Sequence, residues 1–208
     1  MITLLFIFKM VKDKIFIGIP SREGKINSYL VNFLIQNKYY NYELFINQTQ
    51  PVDYNRNVIV EEFLKGDSEW LFMVDDDMIP PNDLFDLVYV AEKMKIKIIS
   101  PINLIRQNNR IRDNIFYWKK GKKEHENYNI LKVDSCGCGC VFIHRNVFKD
   151  LEKPYFKFLL DKGGKLMTSE NIYFTEQCRK NGIYCFVNTL YVTNHLKTIG
   201  LLDLVEKK

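Results

Sequence analysis

Strand-like and helix-like patterns alternate along the first hundred residues of this 208-residue chain. Short apolar runs typical of β-strands occupy 14–20, 42–47, 69–74 and 95–102. Between them, apolar residues recur at helical spacing, and the predicted helices cover 26–37, 54–66 and 80–94. Alternation of this kind is typical of an α/β fold with a mostly parallel central sheet flanked by helices. Ligands of such sheets bind beyond the carboxyl ends of the strands, so a site is expected in the loops that follow them.

The second half of the chain has a less regular pattern. A polar segment at 103–132 is interpreted as a solvated hairpin or flexible loop, and its most charged part lies at 118–129. The elements predicted after it are a strand at 133–145, a short helix at 146–151, a helix at 169–182 and a strand at 183–195. A chain of this length is most simply one domain.

The net charge of +5 and the first residues limit the classes of function. This charge permits an anionic ligand such as a phosphate, whereas nucleic-acid-binding domains usually have a more basic and clustered surface. The apolar run at 1–8 is too short to span a bilayer and lacks the features of a signal peptide. We therefore expect a soluble, cytoplasmic protein without a transmembrane segment. Weak contact of the run at 1–8 with a membrane surface stays an open alternative.

Three of the five cysteines lie in the sequence Cys-Gly-Cys-Gly-Cys at 136–140. In a strand, this alternation would place all three on one face. The odd number argues against a disulfide framework, and the spacing lacks the paired Cys-x2-Cys of zinc sites. The cysteines are interpreted as small, reduced core residues, with a zinc site as the disfavoured alternative.

Three consecutive acids, Asp75, Asp76 and Asp77, follow the apolar run at 70–74. Neighbouring carboxylates repel each other, and loss of solvent adds to the cost of keeping them ionised, so a counter-charge is expected. In a strand, Asp75 and Asp77 would project to one side and could converge on a divalent cation that also binds a substrate's phosphates. One acid would be enough to cap the following helix, so three favour metal or ligand binding.

The segment Phe-Met-Val-Asp-Asp-Asp-Met-Ile-Pro-Pro at 72–81 resembles the DxD region of nucleotide-sugar-dependent glycosyltransferases of the GT-A fold, particularly the family 2-like branch. Four other segments resemble motifs of this family in the same order. They are the first strand and nucleotide loop at 15–22, the Ala-Arg-Asn segment at 54–57, the Gly-x-Gly segment of the acceptor half at 137–148 and the Ser-Glu-Asp helix at 169–183. His195 follows that helix at the usual distance.

This resemblance implies a single GT-A (Rossmann-like) domain over 1–208, with a nucleotide-binding half at 1–102 and an acceptor half at 103–208. The implied activity is a divalent-metal-dependent glycosyltransferase of the hexosyltransferase type. The donor would be a sugar linked to UDP or GDP, and the acceptor, whether glycan, protein or lipid, is left open, as is the oligomeric state.

The resemblance also implies roles for individual residues. Asp75, Asp77 and His195 would bind Mn²⁺ or Mg²⁺, and Asp77 would take part in catalysis. The residues implied to bind the nucleotide sugar are Pro20, Ser21, Arg22, Asn47, Arg56, Asp75, Asp76 and Gly139.

Three of these assignments carry alternatives. Arg56 would bind the diphosphate or orient the acids, and an ordinary surface arginine of a helix is an equally supported interpretation. Asn47 stands where many relatives have an acid for the base, so the choice between UDP and GDP stays open. Gly139, with Gly137, would let the backbone approach a substrate, or would mark a bulge.

Asn171 departs from the family pattern. In inverting relatives an aspartate at this position is the general base, and an amide cannot take up the proton. Glu170 is the nearest carboxylate and the expected base or acceptor-binding acid, although an acid is also favoured at a helix N-terminus. Either Glu170 has replaced the base, or the enzyme is retaining and needs none, or the chain binds a sugar nucleotide without efficient transfer.

Two other classes of function compete with a glycosyltransferase. The first is a catalytically weak or inactive sugar-nucleotide-binding protein, which Asn171 favours. The second is a nucleic-acid-binding or nuclease-type metalloprotein, in which the acids would hold a metal and the lysine-rich stretch at 119–123 would bind phosphates. This second class is disfavoured because the sequence lacks interleaved basic and aromatic residues.

Overall fold

The structure is a computed structural model that describes residues 14–107, 110–116, 125–126 and 129–196. The apolar run at 1–8, the lysine-rich stretch at 119–123 and most of the charged segment at 118–129 lie outside these residues. The helices are α1 (Ser28–Gln36), α2 (Val52–Lys65), α3 (Asp86–Met94) and α4 (Glu170–Lys180). The strands are β1 (Ile15–Pro20), β2 (Tyr42–Asn47), β3 (Trp70–Val74), β4 (Met78–Ile79), β5 (Ile98–Gln107), β6 (Arg110–Asp113), β7 (Ile115–Phe116), β8 (His125–Glu126), β9 (Ile130–Val133), β10 (Ser135–Cys136), β11 (Cys140–His144), β12 (Leu159–Leu160), β13 (Leu166–Thr168) and β14 (Cys185–His195).

A central sheet with the strand order β2-β1-β3-β11-β5-β14-β9-β8 organises the chain. β2, β1 and β3 are parallel neighbours, and β5 and β14 form a second parallel pair. The intervening β11 is antiparallel to both β3 and β5, so β3 and β5 run in the same direction. The five strands β1, β2, β3, β5 and β14 therefore share one direction, and β11 runs the opposite way. The prediction of an α/β fold with a mostly parallel central sheet flanked by helices is confirmed.

Side chains alternate between the two faces of the sheet because successive residues of a strand point to opposite sides. Trp70 and Phe72 of β3 pack in the core cluster with α1 and α3, whereas Leu71 and Met73 pack in the cluster with α2 and α4. Both faces are therefore covered, which explains why β3 reads as a continuous apolar run. Gly18 of β1 lets α2 approach, since a Cβ there would lie 2.2 Å from Cγ2 of Ile59.

Several predicted elements of the second half are wrong in detail. The single strand predicted over 133–145 is divided into the end of β9, β10 and β11, because a bend at Asp134 and a turn at Gly137–Gly139 interrupt it. The short helix predicted near 146–151 is a single 3-10 turn, Arg145–Val147. β5 extends to Gln107, beyond the predicted end at 102, and pairs with β6 in a hairpin, which was one of the two interpretations of the segment at 103–132.

The helix predicted over 80–94 begins only at Asp86, and an additional short strand, β4, precedes it. β4 pairs with the end of β14, which is distant in sequence, and local periodicity cannot reveal such a pairing. Among the described residues, no helix is both long enough and apolar enough to cross a bilayer.

The parallel direction of β1, β2, β3, β5 and β14 brings their carboxyl ends to one edge of the sheet. The segments after Pro20, Asn47 and Val74 start at this edge, and β14 ends there at His195. Most of the predicted site residues therefore lie along one edge because of the topology alone.

Candidate functional site

The acid turn, Asp75–Asp77, directly follows β3 and is a turn rather than a continuation of the strand. The backbone N–H of Met78 donates to the carbonyl of Asp75 (3.1 Å), and the N–H of Asp75 donates to the carbonyl of Gly139 (2.9 Å). Because the chain turns, strand alternation does not set the side-chain directions. Asp75 contacts Arg56 and Asp77 contacts His195.

Arg56 lies on α2 with only 3% of its surface exposed, so the interpretation as an ordinary surface arginine is wrong. Its Nη2 lies 2.9 Å from Oδ1 of Asp75, and its Nη1 donates to the carbonyl of Cys138 (3.2 Å). Its Nε is 3.5 Å from Oε1 of Glu170. One buried guanidinium thus joins two carboxylates from distant parts of the chain, which corresponds to the expected role of orienting the acids.

Burial and charge perturb the titration of this cluster. Burial is the largest cause of the raised pKa of Asp75; Arg56 opposes it, and the neighbouring Asp77 adds to it. Burial alone would lower the pKa of Arg56, but Asp75 and Glu170 more than offset it, so the pKa is raised. The guanidinium therefore stays charged between the carboxylates of Asp75 and Glu170, while the carboxylate of Asp77 lies beside His195. Clustered carboxylates of this kind are common ligands of divalent cations.

Glu170 is the first residue of α4 and is 9% exposed. Its neighbour Asn171 uses its side-chain oxygen locally, accepting from the hydroxyl of Ser169 and from the N–H of Ile172 (2.9 Å). At the start of α4, the carboxylate of Glu170 thus faces Arg56, while the side chain of Asn171 accepts hydrogen bonds from its neighbours in the first turn of the helix.

His195 reaches the acid turn through the pairing of β14 with β4. Its Nε2 lies 2.7 Å from Oδ2 of Asp77, and the N–H of Leu196 donates to the carbonyl of Asp77 (2.7 Å). The Nδ1 atom of His195 is buried without a hydrogen-bond partner in the structure. The structure therefore brings together Asp77 and His195, which the sequence predicted as metal ligands.

For a divalent cation bound at this turn, Asp77 and His195 would supply two protein ligands. Within the described part of the chain, no group of three or more His, Cys, Asp or Glu side chains is arranged to hold a metal ion. Asp77 and His195 offer one carboxylate oxygen and one imidazole nitrogen side by side, while Asp75 is engaged by Arg56. Phosphates of a substrate and water commonly complete such a coordination sphere. A mixed oxygen and nitrogen set suits Mn²⁺ better than Ca²⁺.

The predicted nucleotide-loop residues lie at the ends of β1 and β2. Ser21 is fully buried, its hydroxyl donates to the carbonyl of Lys25 (2.9 Å), and its N–H donates to the carbonyl of Asn47 (2.9 Å). The amide of Asn47 donates to Oδ1 of Asn55 (3.0 Å). Arg22 is exposed at the start of the loop. The backbone N–H of Ser21 thus links the ends of β1 and β2, whereas the hydroxyl of Ser21 and the amide of Asn47 hold the segments that follow these strands.

Gly139 lies under the acid turn. A Cβ at this position would lie 3.1 Å from Oδ2 of Asp75, closer than most such contacts. The close approach that the sequence suggested for Gly139 is thus made to Asp75, and Gly137 makes another to Asn114, where a Cβ would lie 2.0 Å from the amide nitrogen.

Sequence reasoning missed two asparagines that shape the site. Asn27 caps α1 by accepting from the N–H of Leu30 (2.9 Å), and its amide donates to the carbonyls of Asp76 (2.7 Å) and Met78 (3.0 Å). An asparagine just before an apolar periodic segment is a recognisable N-cap signal, but nothing local reveals its second contact.

The other is Asn103, which is 4% exposed. Its amide lies 3.2 Å from the carbonyls of Gly137 and Cys140, so it holds both sides of the turn beneath Asp75. No sequence signal marks this role, because an asparagine in a polar segment ordinarily indicates a loop.

All five cysteines are free thiols and are buried. Cys136, Cys138 and Cys140 lie in or beside the turn rather than along one strand, so the predicted alternation on one strand is wrong, although their burial is confirmed.

An open cleft of about 500 Å³ lies between the start of α2 and the segment at 154–157. Its lining includes Asp53, Tyr54, Phe156 and Lys157 but none of the residues of the acid turn. We therefore do not assign the cluster around Arg56 to this cleft.

No protein-family profile matches this chain, and no curated protein matches its sequence significantly. Solved structures do match. The crystal structure of A197 from STIV is 19% identical, with a TM-score of 0.67 over 89% of this chain and 86% of that one. GalNAc-T7 with UDP, GalNAc and Mn²⁺ is 12% identical, with a TM-score of 0.55 over 90% of this chain, and TarS 1–349 of S. aureus with UDP-GlcNAc is 14% identical, with a TM-score of 0.54 over 89%.

The last two matches are glycosyltransferases of the GT-A type, and the predicted GT-A fold is confirmed. The chain spans 44% of the GalNAc-T7 chain and 60% of the TarS chain, so the likeness concerns one part of each. At these identities it establishes the fold alone.

Proposed function

We propose that this chain, which has the GT-A fold, is a divalent-metal-dependent glycosyltransferase that moves a sugar of the hexosyl type from a nucleoside-diphosphate donor. The observation that carries the proposal is the contact between Asp77 and His195, which are 118 residues apart and meet at the carboxyl edge of the sheet. A carboxylate beside an imidazole at this edge, next to further buried acids, is a donor set for a metal bound with phosphates.

Each residue of the cluster has a role in this proposal. Asp77 and His195 hold the ion, and Asp75, fixed by Arg56, contributes through water or through the donor. The bound ion supplies a Lewis acid for the charge that develops on the leaving phosphate. Glu170 takes the proton of the acceptor hydroxyl or binds the acceptor.

The donor loop completes the proposed site. Pro20, Ser21, Arg22 and Asn47 at the ends of β1 and β2 surround the base, and Asp76 and Gly139 lie against the sugar or the diphosphate. Structures of the same fold contain UDP or UDP-GlcNAc, one of them with Mn²⁺, which makes UDP and Mn²⁺ the first ligands to test.

A second candidate function is sugar-nucleotide binding without efficient transfer. The contact of Glu170 with Arg56 at 3.5 Å favours it, because the one carboxylate at the start of α4 is then engaged by a side chain of the protein itself. Asn171 cannot substitute, since it is an amide engaged at the helix terminus.

The test is calorimetric titration of the protein with UDP and with GDP, each with and without Mn²⁺. We expect one nucleotide to bind in a Mn²⁺-dependent manner. Asp77→Asn and His195→Gln should each weaken that binding, whereas Asp150→Asn, which removes an exposed acid outside the site, should not.

Absence of binding for both nucleotides, or equal binding by wild type and Asp77→Asn, would refute the proposed donor site. Slow hydrolysis of a UDP-sugar in the presence of Mn²⁺ separates the two candidates. Hydrolysis that Glu170→Gln abolishes supports transfer, and Mn²⁺-dependent binding without any turnover supports the binding protein.

A further inference from the structure

The hairpin formed by β12 and β13 exposes large apolar side chains on both of its strands. Leu160 and Leu166 lie opposite each other across the two strands and are 58% and 53% exposed, respectively. Met167 is 70% exposed. Clustered apolar exposure of this size is typical of an interaction surface rather than of ordinary solvent-facing positions.

Lysines surround these apolar side chains. Lys157, Lys162 and Lys165 are exposed, and none of the three forms an ion pair within the described residues. Asp161 is the one acid between 157 and 167, and its carboxylate accepts from the N–H groups of Gly163 (2.9 Å) and Lys165 (2.8 Å), so it folds the tip. Three positive charges and one negative charge give the segment at 157–167 a net charge of +2.

We propose that this hairpin is a docking element for an anionic lipid surface. Leu160, Leu166 and Met167 enter the boundary between headgroups and acyl chains, and the lysines contact negatively charged headgroups. The combination of apolar and basic side chains selects this occupant, because an apolar protein partner would leave three lysines without counter-charges. The net charge of +5 on the whole chain acts in the same direction.

The hairpin also lies next to the proposed catalytic cluster. β13 ends at Thr168, and Glu170 follows two residues later as the first residue of α4. A docked hairpin therefore places Glu170 close to the lipid surface. If the proposed function holds, the acceptor is a lipid-linked hydroxyl compound; this consequence rests on the proposed function, whereas the docking does not.

The test is co-sedimentation of the full chain with vesicles of phosphatidylcholine alone and of phosphatidylcholine mixed equally with phosphatidylglycerol. We expect binding to the anionic vesicles and much weaker binding to the neutral ones. The double variant Lys162→Gln/Lys165→Gln should weaken binding to anionic vesicles, at about fivefold per lysine. Leu166→Ser/Met167→Ser should weaken it by at least about tenfold.

Matched controls remove the same groups elsewhere. Lys38→Gln/Lys149→Gln takes two exposed lysines from outside the hairpin, and Ile35→Ser takes an apolar side chain that is 59% exposed on α1. Both should bind vesicles like wild type, and titration of the hairpin variants with UDP should match wild type.

Three results would overturn the docking proposal. They are the absence of sedimentation with anionic vesicles, equal binding to neutral vesicles, and binding that the hairpin variants leave unchanged. The last result would assign membrane contact to another segment, such as the apolar run at 1–8. Vesicle binding without nucleotide binding would instead refute the proposed function and leave the docking element in place.

Discussion

Substitution of Arg56 by methionine should destabilise the protein far more than loss of any surface ion pair. The guanidinium is 3% exposed and lies against the carboxylates of Asp75 and Glu170 as well as the carbonyl of Cys138. Methionine fills much of the same volume but leaves both acids without their cation. The cost arises from those uncompensated charges rather than from a cavity.

The magnitude follows from the exposure of the partners. Removal of one member of a buried ion pair typically costs about 3–5 kcal/mol. The side chain of Asp75 is 28% exposed and that of Glu170 is 11% exposed, so water screens part of the penalty. We therefore expect the free energy of unfolding to fall by about 3 kcal/mol, at the lower end of that range. For a chain of this size, the melting temperature should fall by about 6–12 °C.

The loss of unfolding free energy in Arg56→Met should depend on pH in a defined direction. Asp75 already has a raised pKa, first because of burial, and loss of the opposing Arg56 raises it further. An acid with a raised pKa in the folded state destabilises that state when ionised, so the penalty is complete at high pH. It should shrink as the pH falls through the raised pKa of Asp75 toward about 4, the pKa of an unfolded aspartate.

The assay is urea unfolding followed by circular dichroism at several pH values. Lys153→Met is the matched control, because its ion pair with Glu61 is exposed on both sides and solvent screening leaves such a pair with little effect on stability. A loss for Arg56→Met no larger than that of the control would refute the reasoning. So would a deficit that grows as the pH falls.

Two further predictions concern the acid turn and the cysteines. Asn27→Ser keeps a residue that caps α1, but serine cannot donate to the carbonyls of both Asp76 and Met78. The helix should therefore remain folded while Mn²⁺-dependent UDP binding weakens about tenfold. Calorimetry measures this affinity, and an unchanged value would contradict the prediction. Burial raises the pKa of the Cys138, Cys140 and Cys178 thiols, so iodoacetamide at about pH 8 should leave the native protein unmodified. Intact mass should show five adducts after unfolding in guanidinium, and rapid native labelling would show that these thiols are accessible.

The first half of the fold was predictable because its signals are local. β1, β2 and β3 are short apolar runs, and α2 ends at Lys65 next to Gly66, as the sequence indicated. β1, β3 and α2 bury residues in patterns that are visible within a few positions of the chain. Their parallel order then places the following loops at one edge of the sheet.

The errors lie where distant residues decide the structure. β4 exists because it pairs with Asn194 and His195, and the turn at Gly137–Gly139 is held by Asn103. Hydrophobic periodicity reveals neither of these contacts. The sequence therefore predicted one continuous strand through the turn at Gly137–Gly139, missed β4 and placed the start of α3 too early.

The site was predictable in its residue types but not in its pairings. Three successive acids and a distant histidine indicated a cation site, and the structure brings Asp77 and His195 into contact. The burial of Arg56 and its contacts with Asp75 and Glu170 depend on three separate elements. A single sequence carries no signal for such a three-way contact. This explains why an ordinary surface arginine was as well supported as a residue that binds the diphosphate or orients the acids.

The pairing of β14 with β4 has a consequence for the order in which the molecule acquires its properties. The sequence separation of Asp77 and His195 means that the imidazole can reach the acid turn only after α4 and β14 have docked on the sheet. Closing a loop of this length lowers the conformational entropy of the chain, and one contact does not compensate for that loss. The contact is therefore stable only once the intervening chain has packed. During synthesis, the acid turn therefore forms before its histidine arrives, and the proposed cation site is complete only after β14 has docked. Gain of metal affinity would then report that the whole domain, rather than its first half, has folded.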